Sequence, residues 1–384
     1  LKVAALPIDS PPTSQYDVAI AGAGPAGSSI AIRLANAGCR VALVEASEFT
    51  LDRFGSTLPP EVRPVLEDLG VWDIFQATDP LPSPGLLSAW GHADPVEYSF
   101  VGNPYGCGWH VNRNRLDAAL FNAAAGAGAM AYARTRVTSC EPPSAANGGC
   151  WRLDTTNALI PAIEARFLVD ACGVSGVRSP LPRTRIKDDT LLAAVIWMDY
   201  PEGSVPSDAR TVVETVPCGW WYWAPLPEPG RAWAMFFTDR TEQSENGIDM
   251  AHILQHAPLL RSRRANSRII RSRLVPVRSH CQLEMTGDSW LLAGDRAATF
   301  DPLSGMGVFQ AWAHSKAAAD AVLAALKGQP ETASAHYQQT LTATWHRYRT
   351  ERIAHYQSEP RWPESHFWQR RRVHSQAHLE QTHH

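Results

Sequence analysis

The sequence predicts an α/β fold: a parallel sheet with helices on its faces, an inserted antiparallel sheet, and a helical C-terminal segment. Two glycine turns and one β-rich block predict it. Residues 16–45 read strand, glycine turn, helix, strand, acid. Residues 289–307 run from a second strand into a second glycine-rich turn and helix. Between them, residues 191–200, 211–216, 220–223 and 232–238 are rich in β-branched and aromatic side chains, with turn residues separating them, as in an antiparallel sheet.

The elements follow in order. Residues 18–21 are a short apolar run, read as a buried strand. Gly22, Gly24 and Gly27 come next as G-x-G-x-x-G, and Ile30, Ile32 and Leu34 are the bulky apolar residues of the helix after them. Residues 41–44 are a second buried strand, closed by Glu45. Residues 59–75 read as one helix with Val62, Leu66, Leu69 and Trp72 on one face. Residues 80–95 read as a loop rich in proline and glycine, with short strands near 96–101 and 106–111. A helix is expected at 113–125, and strands at 131–140, 150–154 and 166–170. Residues 290–293 form a buried strand, 305–326 a long helix, and 333–356 another helix before an aromatic, arginine-rich tail.

The first motif has a specific use. Gly22 permits a tight turn, Gly24 lets the backbone approach a pyrophosphate, and Gly27 lets the helix pack close to the strand. The helix N-terminus, opening at Pro25 and Ala26, then faces the phosphate charge. Glu45 can accept both hydroxyls of a ribose and would repel a 2′-phosphate, so FAD or NAD is expected rather than NADP.

Composition sets bounds. The 384 residues suffice for two packed units, and a 45% hydrophobic, 19% charged chain is that of a soluble globular protein. A net charge of −3 gives no basic field, so no nucleic-acid partner is expected. Seven singly scattered cysteines with no C-x-x-C argue against a disulfide framework or a metal site and for a reducing cytoplasm. Residues 1–14 lack the apolar stretch of a secretory signal, and the alanine-rich 116–133 segment contains Asp117 and Asn122, so no membrane span is expected.

In the second motif, Gly294-Asp295 ends a strand and Asp301-Pro302-Leu303-Ser304-Gly305-Met306-Gly307 opens a helix. Together with the first motif, R-x-x-L-D-x-x-L (Arg113, Leu116, Asp117, Leu120) and D-A-x-G (Asp170, Ala171, Gly173), this order resembles the FAD-dependent aromatic hydroxylase superfamily, which includes flavin halogenases and geranylgeranyl reductases. The resemblance implies a Rossmann-like FAD-binding domain of the glutathione-reductase and aromatic-hydroxylase type over 16–80, 105–185 and 280–330. A β-sheet substrate domain would cover 81–104 and 186–279, and the C-terminal helix and tail 331–384. It implies Arg113 near the flavin or its phosphates and Asp295 on the ribityl chain or phosphates. The implied cofactor set adds Ala46, Arg53, Ser56, Val137, Asp170, Gly173, Gly294, Pro302, Gly305, Met306 and Gly307. The Asp170 motif departs from the D-G pair of many hydroxylases, which puts a nicotinamide-responsive role in doubt.

The stretch Trp220-Trp221-Tyr222-Trp223 is similar to a tryptophan-halogenase signature, but residues 53–110 contain no lysine, which those enzymes need near the flavin. Four successive aromatics cannot share one strand face, so some are expected to line a substrate pocket or a surface. The tail (Tyr356, Glu359, Arg361, Trp362, Phe367, Trp368, Arg370, Arg371) and the loop from Phe54 to Pro60 resemble the flavoproteins of tryptophylquinone biogenesis. That resemblance implies a protein substrate, a subunit of a tryptophylquinone enzyme, in which a tryptophan is hydroxylated through a flavin C4a-hydroperoxide. O2 would be co-substrate, with an external or nicotinamide reductant. Candidate proton acceptors are His110, Glu61 and Asp301, with His110 equally readable as a hydrogen-bonded core residue. Two alternatives stay open: a small-molecule aromatic hydroxylase or prenyl reductase, and a non-catalytic flavin-fold binding protein.

Overall fold

A computed structural model describes residues 15–50, 53–203, 206–239 and 250–379; the leader reading for residues 1–14 lies outside them. Strand Tyr16–Ala21 is central to the first of two eight-stranded sheets. It pairs in parallel with Val41–Val44 on one side and Ala162–Asp170 on the other. Ala162–Asp170 pairs in turn with Trp290–Leu292, again in parallel. Ala21 lies level with Val44 and Asp170, and Asp170 with Leu292. The first glycine turn, Glu45, Ala171 and Gly294 therefore emerge along one rim, at the carboxyl ends of parallel strands, where open α/β sheets bind ligands. Helices Pro25–Asn36, Arg113–Gly126 and Ser315–Leu326 pack together over this sheet.

The second sheet runs, edge to edge, Ala298–Thr299, Arg268–Gln282, Arg185–Asp199, Arg231–Thr238, Gly219–Pro225, Thr211–Val216, Gly85–Ala89, Val96–Ser99. Four sequence expectations change in the structure. The 80–95 segment is not all loop: Gly85–Ala89 pairs in parallel with Thr211–Val216, because Pro82 and Pro84 only flank the ladder. The long strand Arg268–Gln282 was not anticipated, since its arginines and Pro276 hide the alternation. Residues 59–75 form two helices, Val62–Asp68 and Trp72–Gln76, separated by Gly70 at φ +73°. The helix expected from 305 is likewise two, Gly307–Ala313 and Ser315–Leu326, meeting at His314.

Both faces of the second sheet are covered, and this corrects the reading of the tryptophans. Trp221 and Trp223 pack with Ile196, Met198 and Phe236 beneath Ile253 and Leu260 of two short helices, Met250–Gln255 and Pro258–Arg263. Trp220 points the other way, against Phe237, Trp90, Tyr356 and Trp368. All three are at most 1% exposed. They are core, because the two short helices cover one face of the sheet and the tail helices Pro330–Gln357 and His366–Leu379 fold back over the other. Only Tyr222 differs: it is half-buried, and its hydroxyl reaches Thr57.

Candidate cofactor and active site

Gly22 has φ +97°, and a Cβ there would lie 2.5 Å from the Ala171 carbonyl oxygen. A Cβ on Gly27 would lie 1.9 Å from the Gly22 oxygen. Both glycines are therefore obligatory for the turn. Gly24 is different: a Cβ would meet only Arg53 Nη1, at 3.9 Å. Its surroundings are open on the side of the helix N-terminus, with a cation beside them, as a pyrophosphate requires.

Glu45 is buried at the end of its strand. Its Oε2 accepts from Ala23 N at 2.9 Å, and its Oε1 accepts from Ser47 N, Ser47 Oγ and Arg53 Nη2. Ala46 beside it is exposed, and the Glu45 carbonyl accepts from Thr135 N, which brings the approach to Val137 alongside. Arg53 also donates to Asp117 at 3.0 Å, and Arg113 pairs with the same carboxylate at 3.1 Å. Arg113 additionally donates to the carbonyls of Phe54 and Gly55. Two guanidinium groups thus sit between the glycine turn and the loop 53–56. Asp117, which organises both, was noted in its motif but not assigned to the site.

At the other end of the rim, a Cβ on Gly294 would meet Ala26 Cβ at 2.9 Å, so the two glycine motifs touch. Asp295 is reached by solvent yet ringed by protein. Burial raises its pKa, and the nearby Arg113 opposes the rise. Its carboxylate accepts no hydrogen bond among the described residues. Gly305 adopts φ +59°, and nothing lies within 4 Å of a Cβ at Gly305 or Gly307. Pro302 opens the turn before them and Met306 precedes the helix.

Asp170 has another task. It receives Cys172 N, Val177 N and Arg296 Nε, and so ties the Gly173 turn to the 294–296 segment from behind. Asp301 is corrected outright. It is 1% exposed, accepts from Leu303 N, and is held by Arg352 at 3.2 Å and Tyr356 OH at 3.0 Å. A carboxylate this buried, with one oxygen held by Leu303 N and the other by Arg352 and Tyr356, is closed to substrate. His110 is corrected too. It is fully buried, with Nε2 on the Ala209 carbonyl at 2.7 Å and Nδ1 on Thr57 at 2.9 Å. Burial lowers its pKa to about 4, against the pull of the Ala209 carbonyl. Its Nε2 donates to that carbonyl and Nδ1 accepts, so both nitrogens are used. Glu61 accepts from Asn103 at 3.1 Å and lies away from the rim cavity described next.

Between the sheets, a cavity of about 40 Å³ is walled by Ser56, Arg113 and Asn114 on one side and by Trp197, Leu226 and Trp233 on the other. Glu228 and Asn112 close it and hydrogen-bond to each other. Ser56 Oγ and Asn114 Oδ1 are buried there without a partner. Unsatisfied buried polar atoms are rare and signal a missing ligand or water. With open space at Gly24, Gly305 and Gly307 and a partnerless Asp295, the donor set fits a flavin dinucleotide. Sequence reasoning missed Trp197, Trp233, Asn114 and Glu228. Strand alternation divides the aromatics into two faces but does not say which face meets the cofactor domain.

The profile of a family described as FAD binding domain matches residues 15–347. The chain belongs to that family. It is a flavin-dependent enzyme of the aromatic hydroxylase and halogenase type, with FAD as cofactor. It is 26% identical to the FAD-dependent oxidoreductase LodB of Marinomonas mediterranea, over 94% of this chain and 98% of that one. It is 24% identical to a tryptophan 2-halogenase of Chondromyces crocatus over 84% of this chain, but spans only 64% of the halogenase. Among solved structures, the flavin-dependent halogenase CmlS superposes with a TM-score of 0.82 at 23% identity, covering 96% of this chain and 71% of CmlS. QhpG, a peptidyl tryptophan dihydroxylase essential for tryptophylquinone cofactor biogenesis, superposes with a TM-score of 0.73 at 20% identity, covering 93% and 79%. These superpositions establish the fold. No helix among the described residues is long and apolar enough to cross a membrane, and no group of metal-ligating side chains occurs among them.

Proposed function

We propose that this enzyme is a monooxygenase that hydroxylates a tryptophan held in a protein substrate of tryptophylquinone biogenesis. The observation carrying this reading is a cavity wall without lysine. Of the four lysines, Lys187, Lys316 and Lys327 are exposed and line neither the rim nor the cavity, and Lys2 lies outside the described residues. Halogenation, which the halogenase relatives favour as second reading, would need a lysine there to capture hypohalous acid. Likeness to LodB over almost its full length, and to QhpG in fold, supports the choice of a peptidyl tryptophan.

Bound FAD, once reduced by an external or nicotinamide donor, activates O2 and supplies the oxygen. The chain's own residues do the rest. The glycine turn, Arg53 and Arg113 hold the dinucleotide. Trp197, Leu226 and Trp233 exclude water from the cavity and offer flat faces to an indole. Glu228 is the carboxylate at that cavity, oriented by Asn112. It receives the proton that the hydroxylated ring carbon sheds.

The test is mass spectrometry under 18O2 with reduced flavin. Labelled oxygen on a tryptophan of the partner subunit is expected, with free tryptophan almost untouched. Remote contacts with a protein substrate position the ring in a way free tryptophan cannot match. Bromination of either substrate, or fast turnover of free tryptophan, would overturn the reading.

A further inference from the structure

We propose that the open edge of strand Arg268–Gln282 docks an acidic, extended segment of the protein substrate as an added β-strand and leads it to the cavity. The proposal rests on the reading that the substrate is a protein.

On its inner side this strand pairs with Arg185–Asp199 along its whole length. On its outer side, among the described residues, Ala298–Thr299 alone pairs with it, at His280 and Cys281. Among the described residues, the outer backbone groups before Arg278 meet no strand, while the Arg278 carbonyl accepts from Thr299 Oγ1 at 2.7 Å. Ile269, Ile270 and Leu274 on it are each about half exposed (50%, 49% and 51%). A long edge of this kind is a template for another chain unless it is blunted. Two devices blunt it against copies of itself. Pro276 removes one donor, and residues 268–283 carry Arg268, Arg271, Arg273 and Arg278 with no carboxylate. A second copy laid antiparallel would set arginine against arginine, which is repulsive. A segment bearing Asp or Glu reverses that sign, while Ile269, Ile270 and Leu274 offer apolar contacts between the charges.

The edge also points at the site. Arg271 lies across from Trp197, and Arg273 across from Val195. Directly paired residues share a face, and Val195 belongs to the face covered by the tail and by Phe54. The Arg271 guanidinium stacks 4.0 Å from the Trp197 ring centroid. Trp197 is in turn a wall of the cavity that holds Ser56 and Arg113. A strand added along this edge therefore runs past the cavity mouth. Nucleic acid would use the arginines but neither the free backbone groups nor the apolar side chains, so a peptide fits better.

The test uses the full-length, FAD-loaded protein and a fluorescein-labelled peptide of alternating glutamate and valine, read by anisotropy. Binding is expected. It should weaken at least tenfold in Arg273→Glu/Arg278→Glu, and as strongly when alternate peptide nitrogens are methylated. Flavin absorbance should be unchanged in the variant. Binding indifferent to the charge reversal or to methylation overturns the proposal. So does preferential binding of polyuridylate, self-association blocked by the peptide, or binding seen only after residues 240–249 are replaced by a glycine–serine linker. Modification of the partner tryptophan at full rate by the double variant overturns the docking and leaves the monooxygenase reading intact. Fast turnover of free tryptophan overturns that reading and the docking with it.

Discussion

Two clusters of carboxylates and guanidinium groups lie in this molecule, and they differ in one respect. At the rim, Glu45, Asp117, Arg53 and Arg113 form a chain of ion pairs. Under the tail, Asp188, Asp189, Asp239 and Asp301 meet Arg349, Arg352, Arg370 and Arg371. The tail cluster is closed. Arg352 alone reaches three aspartates at 2.9, 2.6 and 3.2 Å, and Tyr356 completes Asp301. The rim cluster is open. Arg53 keeps 28% of its side chain exposed, and among the described residues neither Asp295 nor the buried Ser56 Oγ has a hydrogen bond. The same chemistry serves as a clamp where each carboxylate is held by arginine and as a binding site where polar groups are left over.

Breaking the clamp should have the largest effect. Arg352→Met leaves three carboxylates short of a buried partner and should cost about 3–5 kcal/mol of stability, read by urea denaturation. Trp220→Ala belongs with it, at about 3–5 kcal/mol, whereas Trp197→Ala should spare stability and abolish turnover. If Trp220→Ala unfolds no more easily than wild type, the assignment of that tryptophan to the core fails.

The rim responds in affinity instead. Glu45→Ala tests the ribose contact proposed for this carboxylate and should weaken FAD binding by about 2–3 kcal/mol, or about 30- to 150-fold, measured by flavin fluorescence titration. Unchanged affinity would move the adenosine end elsewhere.

His110 sharpens the comparison through pH. Burial holds it neutral in the folded protein, with a pKa of about 4 against the ordinary 6.5. The unfolded chain takes up the proton first. Its contribution is therefore complete above pH 6.5 and is lost as pH falls towards 4. Between pH 6.5 and 5, wild type should lose about 1.5 kcal/mol more than His110→Gln. Parallel pH profiles would show that the ring is not buried neutral. The smallest effect is that of Ser56→Ala. The fold should be as stable or slightly more so, since a buried orphan hydroxyl is removed, while FAD or substrate affinity falls by about 1 kcal/mol. An unchanged affinity for both would make the hydroxyl a passive defect.

The glycine turns were legible because backbone geometry fixes them locally. Gly22, Gly27 and Gly294 each stand where a Cβ would strike a neighbour, and no other residue type could be there. Glu45 was legible for a similar reason: it ends a strand whose partner carries the turn. His110, Asp301 and the tryptophans were not. A histidine or aspartate looks the same in sequence whether it faces a substrate or an arginine, and what decided Asp301 was Arg352, 51 residues away.

The sequence by itself determined the parallel strands that carry the glycine turns, the cofactor class and the lack of lysine near the flavin loop, because each rests on local backbone chemistry or on composition. Only the tertiary structure decided that the tail closes over Trp220, that Trp197 and Trp233 form the cavity wall, and that strand Arg268–Gln282 ends the sheet with an open edge. Those outcomes depend on which face meets which neighbour, and a strand with apolar residues on both sides carries no local signal for that choice.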